Sequence, residues 1–367
     1  MSASDPGPEP LSPLADPHAA CLPAEFVQRL AAILPPSHHA IAWASFAVAK
    51  APALWLNPLV ADPADTRAAL AALAAQHPGA SLTPLRDDAL LAHAFPPDVL
   101  SRSPSVTSGA AYLISPSSLL PPAALDPGPD DDVLDLCAAP GGKTLQLAAR
   151  IAGPADAPKG RGHLAAVEAV KPRFFKLQGV LSRFGALARP GVRLFLKDGR
   201  SVGHAVPERF DKILLDAPCS SEARFDADDP DSFSHWSPHK VAECAYKQKA
   251  LLHSALMALR VGGTMVYCTC SFSPEENERV VLDVLEELEG RVVTVPMTLP
   301  PMTPAPALQA GLFGLDHALR VLPDDTWDGF FLVRLEKREA SPASLRTDRH
   351  TSREKPHGRG VERARRR

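Results

Sequence analysis

The residues able to do chemistry in this 367-residue chain fall in three short runs. Cys137-Ala-Ala-Pro-Gly-Gly-Lys143-Thr144 joins a thiol, two adjacent glycines and a lysine. Asp216-Ala-Pro-Cys219-Ser-Ser places a carboxylate three residues before a thiol. Tyr267-Cys268-Thr-Cys270-Ser-Phe-Ser-Pro-Glu-Glu-Asn277 carries two more thiols. Most free cysteines are buried small hydrophobes, and that reading suits Cys21, Cys244, Cys268 and the side chain of Cys137. Zinc is disfavoured, because no CxxC is present and the one HxxxH, His235 to His239, brackets Pro238. Cys219 and Cys270 follow two apolar runs of strand length. Neighbouring parallel strands lie about 4.8 Å apart, so both thiols can reach one crevice. Such a pair suits covalent catalysis. A thiolate added to C6 of a pyrimidine makes C5 nucleophilic, a second thiol can assist release, and a carboxyl group near N3 stabilises the adduct. Cys219, Cys270 and Asp216 supply these groups, and the spacing leaves open which cysteine does what.

The elements that must position these groups alternate. Short apolar runs at 133–137, 164–167, 192–196, 213–215, 264–268 and 330–335 read as strands. Helical patterns fall at 143–151, 172–184, 240–260 (stopped by Gly262-Gly263) and 275–288, the last with acidic residues in its first turn. This order predicts an α/β fold with a mostly parallel, Rossmann-like sheet. Ligands bind such sheets outside the carboxyl ends of the strands. The first strand ends in the glycine turn, and the next three end in Glu168, Asp198 and Asp216. Neither GxGxxG nor GxxxxGK[ST] is present, which argues against dinucleotide and Walker-type phosphate sites. A small-residue turn followed by three acids suits a nucleoside without phosphates. S-adenosylmethionine fits, with Glu168 accepting from ribose hydroxyls and Asp198 from an amino group such as that of adenine.

Composition sets outer limits. The net charge is −3, but it is unevenly distributed. Residues 337–367 hold 11 Lys and Arg against 4 Asp and Glu, so they carry +7, and the remainder carries −10. A basic tail of this kind can contact phosphate. No apolar run approaches the roughly 18 residues of a membrane span. The N-terminus lacks a signal-peptide pattern, and six cysteines are not a disulfide framework. A reduced, cytoplasmic, monomeric protein is expected. The expected domains are a disordered 1–20, a small α+β extension over 21–115, a catalytic domain over 116–336 and a disordered basic tail over 337–367. Lys171, Arg173, Lys176, Arg183, Lys240, Lys247 and Lys249 are candidates to line the cleft, and Trp236 is a candidate to stack on a base.

Taken together in this order and spacing, CAAPGGKT, LLDAPCSS and YCTCSFSPEENE resemble the RNA (cytosine-5) methyltransferases of the Fmu/Sun family. The resemblance runs from about Gly109 to Leu335. It implies a Rossmann-like S-adenosylmethionine-dependent methyltransferase domain behind a small N-terminal extension that binds RNA, acting on rRNA or tRNA. By the same resemblance, Cys137, Ala138, Ala139, Pro140, Gly141, Gly142, Lys143, Glu168, Asp198 and Asp216 bind S-adenosylmethionine. Cys270 is the nucleophile, Cys219 assists release, and Lys143 and Asp216 face the base. Glu168 stands where Asp is more usual. Cys219-Ser-Ser-Glu222-Ala-Arg224-Phe225 departs from the family's Cys-Ser-Gly pattern, so the loop over the base is expected to differ. The competing reading is a non-catalytic RNA-binding ribosome-assembly factor on a methyltransferase scaffold, which loss of either cysteine or of the glycine turn would have favoured.

Overall fold

The computed structural model describes residues 16–153 and 160–341. The N-terminal part forms helices Ala24–Ile33 and His39–Ser45, then a four-stranded antiparallel sheet. That sheet comprises β1 (Ala53–Leu56), β2 (Ser81–Arg86), β3 (Ala89–His93) and β4 (Ala111–Ile114) in the order β2-β3-β1-β4. Both pieces share cores with the rest of the chain. Phe26, Trp43 and Phe46 of the helices pack with Phe225 and Phe272. Trp55 and Leu91 of the small sheet belong to one cluster with Val133 and Leu145.

The large sheet contains β5 (Asp132–Asp135), β6 (His163–Glu168), β7 (Val192–Leu196), β8 (Phe210–Asp216) and β9 (Leu259–Thr269), all parallel, in the order β9-β8-β5-β6-β7. Its central strands are apolar on both faces, as a sheet covered by helices on two sides requires. Val133, Val266 and Cys268 face one core; Leu134, Met265 and Tyr267 face the other. Chain order runs outward from β5 to β7 and then returns to β8. The crevice between β5 and β8 is therefore the topological switch point, where ligands of such sheets bind.

Beyond β9 the sheet turns antiparallel. β10 (Val292–Thr294), β11 (Leu308–Ala310), β12 (Leu319–Val321) and β13 (Phe330–Lys337) extend it, with β13 paired to β9 and β10 and β12 paired along β13. The expected strand over 330–335 is thus present as an antiparallel neighbour. The three short strands before it escaped the apolar pattern, being only three residues each. Lys337 corrects the boundary drawn for the tail. It lies inside β13, 1% exposed, and its Nζ donates to Leu256 O and Leu259 O at 2.9 and 2.8 Å. The N-terminal boundary shifts as well, because Ala19 is fully buried in the aromatic cluster. The expected disorder of 1–15 and of 342–367 lies outside the described residues.

Two helix boundaries also differ from expectation. The long crossover helix is Pro238–Ala258, opened by Ser237 Oγ accepting from Lys240 N at 3.1 Å. It stops before Gly262-Gly263, which sit within β9, Gly262 at φ +78°. The later helix is Glu278–Glu287 rather than 275–288. Glu275 instead pairs with Arg29 at 2.8 Å, and Glu276 and Asn277 turn inward. Glu278 itself is fully buried and ion-paired with Arg320, whose Nη1 donates to Phe272 O at 2.8 Å. This pair ties β12 to the loop after β9. Replacing Arg320 by Met leaves an uncompensated buried carboxylate, so Arg320→Met is expected to cost about 3–5 kcal/mol, read from the urea midpoint at unchanged m-value.

Candidate active site

Loops after β5, β8 and β9, together with β4 and the turn after it, enclose a cavity of about 570 Å³. Its lining includes Cys137, Ala138, Ala139, Pro140, Gly141, Gly142, Lys143, Asp216, Cys219 and Cys270. The turn is built from small residues for a visible reason. Gly141 has φ +120°, and a Cβ on Gly142 would lie 2.8 Å from a ring carbon of Tyr112. Helix Gly142–Ala152 starts at this turn and carries Lys143 into the site.

Opposite the turn, the two cysteines meet. Cys219 Sγ and Cys270 Sγ are 3.3 Å apart, a hydrogen-bonding distance, and both thiols are free. Their environments drive them apart in acidity. Cys270 is pulled down to about 7, first by the hydrogen bond from Cys219 and then, against burial, by the charges of Arg224 and Lys143. Asp216 opposes that shift. Cys219 is held well above the ordinary thiol value, first by donating to Cys270 and then by burial. Deprotonation of the pair is therefore directed to Cys270, whose thiolate accepts from the Cys219 thiol. The other two thiols near the site are inert by the same physics. Burial, then neighbouring carboxylates, raises Cys137 and Cys268 well above the usual range.

Lys143 Nζ donates to Asp216 Oδ2 at 2.7 Å and stands 5.4 Å from the centre of the Phe330 ring. Burial works against its ammonium, but Asp216 together with the sulfurs of Cys268 and Cys270 outweighs burial and holds the amine above its usual pKa. Cys268 Sγ donates to the other Asp216 oxygen at 3.6 Å. Asp135, which the sequence reading passed over as part of an apolar run, also borders the cavity. Its Oδ2 accepts from Thr144 Oγ1 at 2.7 Å, and its buried Oδ1 has no partner among the described residues. Burial, reinforced by Asp216, pushes this carboxyl up to about 7. The signal available was its position at the end of β5, the same position that singled out the acids of the later strands.

The remaining predicted residues spread outward. Glu168 is 4% exposed and accepts from Val170 N at 2.8 Å. It pairs with Arg173, which in turn donates to Ala139 O at 3.0 Å and lines the cavity. Asp198 is not brought to the cavity lining; its exposed carboxylate is clasped by Arg200. Of the other basic candidates, Lys240 and Lys247 pair with Glu243, Lys249 with Asp283 and Glu287, and Arg183 caps carbonyls of 106 and 107. Trp236 is not presented to a base. It packs edge-on against Phe26 and Phe225 and donates its Nε1 to Glu222 at 2.8 Å. The N-terminal part contributes Tyr112, Ser115 and Ser118 to the lining, which local patterns could not reveal.

A parallel sheet with its cavity at the switch point, a glycine turn, and acids at the strand ends defines a Rossmann-like methyltransferase fold. Residues 122–336 match the model of the 16S rRNA methyltransferase RsmB/F family, and the chain belongs to that family. Ribosomal RNA small subunit methyltransferase F of Shigella dysenteriae serotype 1 is 41% identical over 239 residues, covering 64% of this chain and 47% of the relative. The protein of the same name from Escherichia coli O1:K1 is 40% identical over 237 residues, with 64% and 46% covered. The chain thus spans about half the length of these curated relatives. Among solved structures, a methyltransferase homolog protein from Pyrococcus horikoshii aligns with TM-score 0.70 at 27% identity, covering 90% of this chain and 99% of that one. NSun6 from P. horikoshii shares the fold, with TM-score 0.69 at 18% identity over 86% of this chain and 98% of that one. No helix among the described residues is long and apolar enough to cross a membrane.

The acidity of Cys270 depends first on the hydrogen bond that Cys219 donates. Cys219→Ala is therefore expected to move Cys270 from about 7 toward the ordinary thiol range. At pH 7 its alkylation by iodoacetamide slows about tenfold, measured by peptide mass spectrometry across pH.

Proposed function

We propose that this chain methylates C5 of cytosine in structured RNA, with ribosomal RNA as the substrate class, through a covalent adduct on Cys270. The carrying observation is the Cys219–Cys270 pair, 3.3 Å apart at the cavity, with surroundings that lower the pKa of one thiol and raise that of the other. The family match and the relatives' description as ribosomal RNA small subunit methyltransferases support the substrate class. A bacterial ribosomal substrate supports a cytoplasmic location.

The residues present fit S-adenosylmethionine. The small-residue turn at 137–142 admits close backbone approach, and the unpartnered Asp135 oxygen offers an acceptor to a cationic group. Glu168 is assigned to ribose hydroxyls, and Asp198 to the base amino group after exchange of its Arg200 partner. When bound, S-adenosylmethionine supplies an electrophilic methyl group on a sulfonium sulfur.

The chain's own residues do the rest. The target cytosine must leave its stack to enter the cleft. The Cys270 thiolate adds to C6, and the ring becomes nucleophilic at C5. Asp216, with Lys143 beside it, stabilises the polarised base at N3. Once Cys270 is a thioether, Cys219 no longer donates to a thiolate, and after C5 carries the methyl group the Cys219 thiol gives its proton to water at the cleft and becomes the base. It then accepts the C5 proton and returns it as a hydrogen bond to Cys270 as the C6–S bond breaks. We assign phosphate contacts to the basic tail over 342–367 as well as to Arg173 and Arg224 at the cavity.

Cys270→Ala is expected to abolish 5-methylcytosine formation, and Cys219→Ala to stall turnover with the RNA still attached to the protein. The check is nucleoside mass spectrometry of the RNA, together with a denaturing gel for the adduct. Normal 5-methylcytosine from Cys270→Ala would exclude the assigned nucleophile.

A further inference from the structure

The loop residues around the two thiols hold a second pair of groups that the reaction above does not use. Glu222 lies three residues after Cys219 and is 1% exposed. Its carboxylate accepts mostly from outside its own loop. Oε2 takes Phe272 N at 2.8 Å, Ser273 N at 2.9 Å and Ser271 Oγ at 3.0 Å; Oε1 takes Ser273 Oγ at 2.7 Å and Trp236 Nε1 at 2.8 Å. Four of these five donors belong to the loop that follows Cys270. Glu276, six residues after Cys270, is fully buried and reaches the other way. Its Oε2 takes Ser220 N at 2.9 Å and Gln248 Nε2 at 2.8 Å, and its Oε1 takes Ser271 Oγ at 2.9 Å as well as Ser220 Oγ. Gln248 also donates to Pro218 O at 2.9 Å.

We propose that Glu222 and Glu276 form a reciprocal carboxylate clamp whose role is positioning: each reaches from one cysteine's loop to grip the other's, and together they set the Cys219–Cys270 separation. The proposal rests on the covalent reading of the two thiols given above. Two adjacent buried carboxylates are a costly way to hold loops together. Apolar packing of similar volume often gives equal or greater stability, and an aromatic cluster already packs against these loops. What the carboxylates add is directional geometry. Seven of the nine hydrogen bonds come from backbone or hydroxyl groups within three residues of a cysteine, so they constrain both loops directionally. The backbone agrees, with Ala223 N donating to Cys270 O at 3.0 Å. Burial, and then Glu222 across the shared Ser271 hydroxyl, pushes Glu276 up to about 7, which is what two facing acids in one site produce.

The test uses the full chain with Glu222→Gln and Glu276→Gln, and Glu275→Gln as a half-buried neighbour outside the clamp. The readout is the pH dependence of iodoacetamide labelling at Cys270, whose other charged neighbours, Arg224, Asp216 and Lys143, are untouched. A loosened clamp weakens the Cys219 hydrogen bond. Both clamp variants are therefore expected to shift the labelling midpoint upward by about one pH unit, which slows labelling at pH 7 about fivefold. They keep a cooperative melt and lower kcat more than KM for RNA, and Glu275→Gln matches the parent protein. If Glu222→Gln does not fold, Glu276→Gln alone decides. An unchanged midpoint in a folded clamp variant overturns the proposal. Labelling needs no RNA, so a chain that never methylates cytosine still reports on the clamp, and the two failures are separable.

Discussion

Two thiols 3.3 Å apart in a half-buried cleft cannot both ionise without strong repulsion, so one must keep its proton for the other to lose it. The rest of the site is arranged around that constraint. Arg224 and Lys143 bias the ionisation toward Cys270, and the carboxylates nearby are either neutralised, as Asp216 is by Lys143, or pushed toward protonation, as Asp135 and Glu276 are. Cys137, which lines the same cavity, and Cys268, two residues before Cys270 in β9, have no thiol partner and remain neutral. Reactivity here is therefore a property of one pair, and position at a strand end does not confer it.

The sheet explains how two distant sequence runs deliver that pair. β8 and β9 are parallel neighbours, with Asp216 in register with Cys268. Three residues past Asp216 and two past Cys268, the chain leaves the sheet on the same side, and the sulfurs converge. The N-terminal part then closes the cleft from two directions. Its helices pack on the loops after β8 and β9, and β4 supplies Tyr112 to the wall beside the glycine turn. Fractional charge follows the same plan. A chain of net charge −3 places Lys143, Arg173 and Arg224 at the cavity while many of its acids lie elsewhere.

Much of this was legible in the sequence because it follows local rules. Apolar runs of strand length placed β5 to β9, and small or acidic residues just beyond them marked the crevice. What stayed hidden was non-local. Asp135 looks like the end of an apolar strand, and only its buried Oδ1, without a partner among the described residues, distinguishes it. β10 to β12 are too short to carry a period; β10 and β12 become strands because β13 offers an edge, and β11 because β12 does. Glu276 and Asn277 looked like a helix start, but the site loop captures their side chains and delays the helix to Glu278. Trp236 looked available for stacking, yet Glu222 takes its donor. Lys337 looked like tail, though two helix-end carbonyls hold it in the core.

The account turns on a carbon–sulfur bond between Cys270 and the target base. RNA carrying 5-fluorocytosine at the modified position tests it directly, because a fluorine at C5 cannot leave as a proton does and the adduct persists. Incubation with S-adenosylmethionine, protease and nuclease digestion, and tandem mass spectrometry then locate the attachment. The account predicts one cross-linked peptide with the nucleotide on Cys270. Attachment at Cys219, or a methylated product with no protein-bound nucleotide, would contradict it.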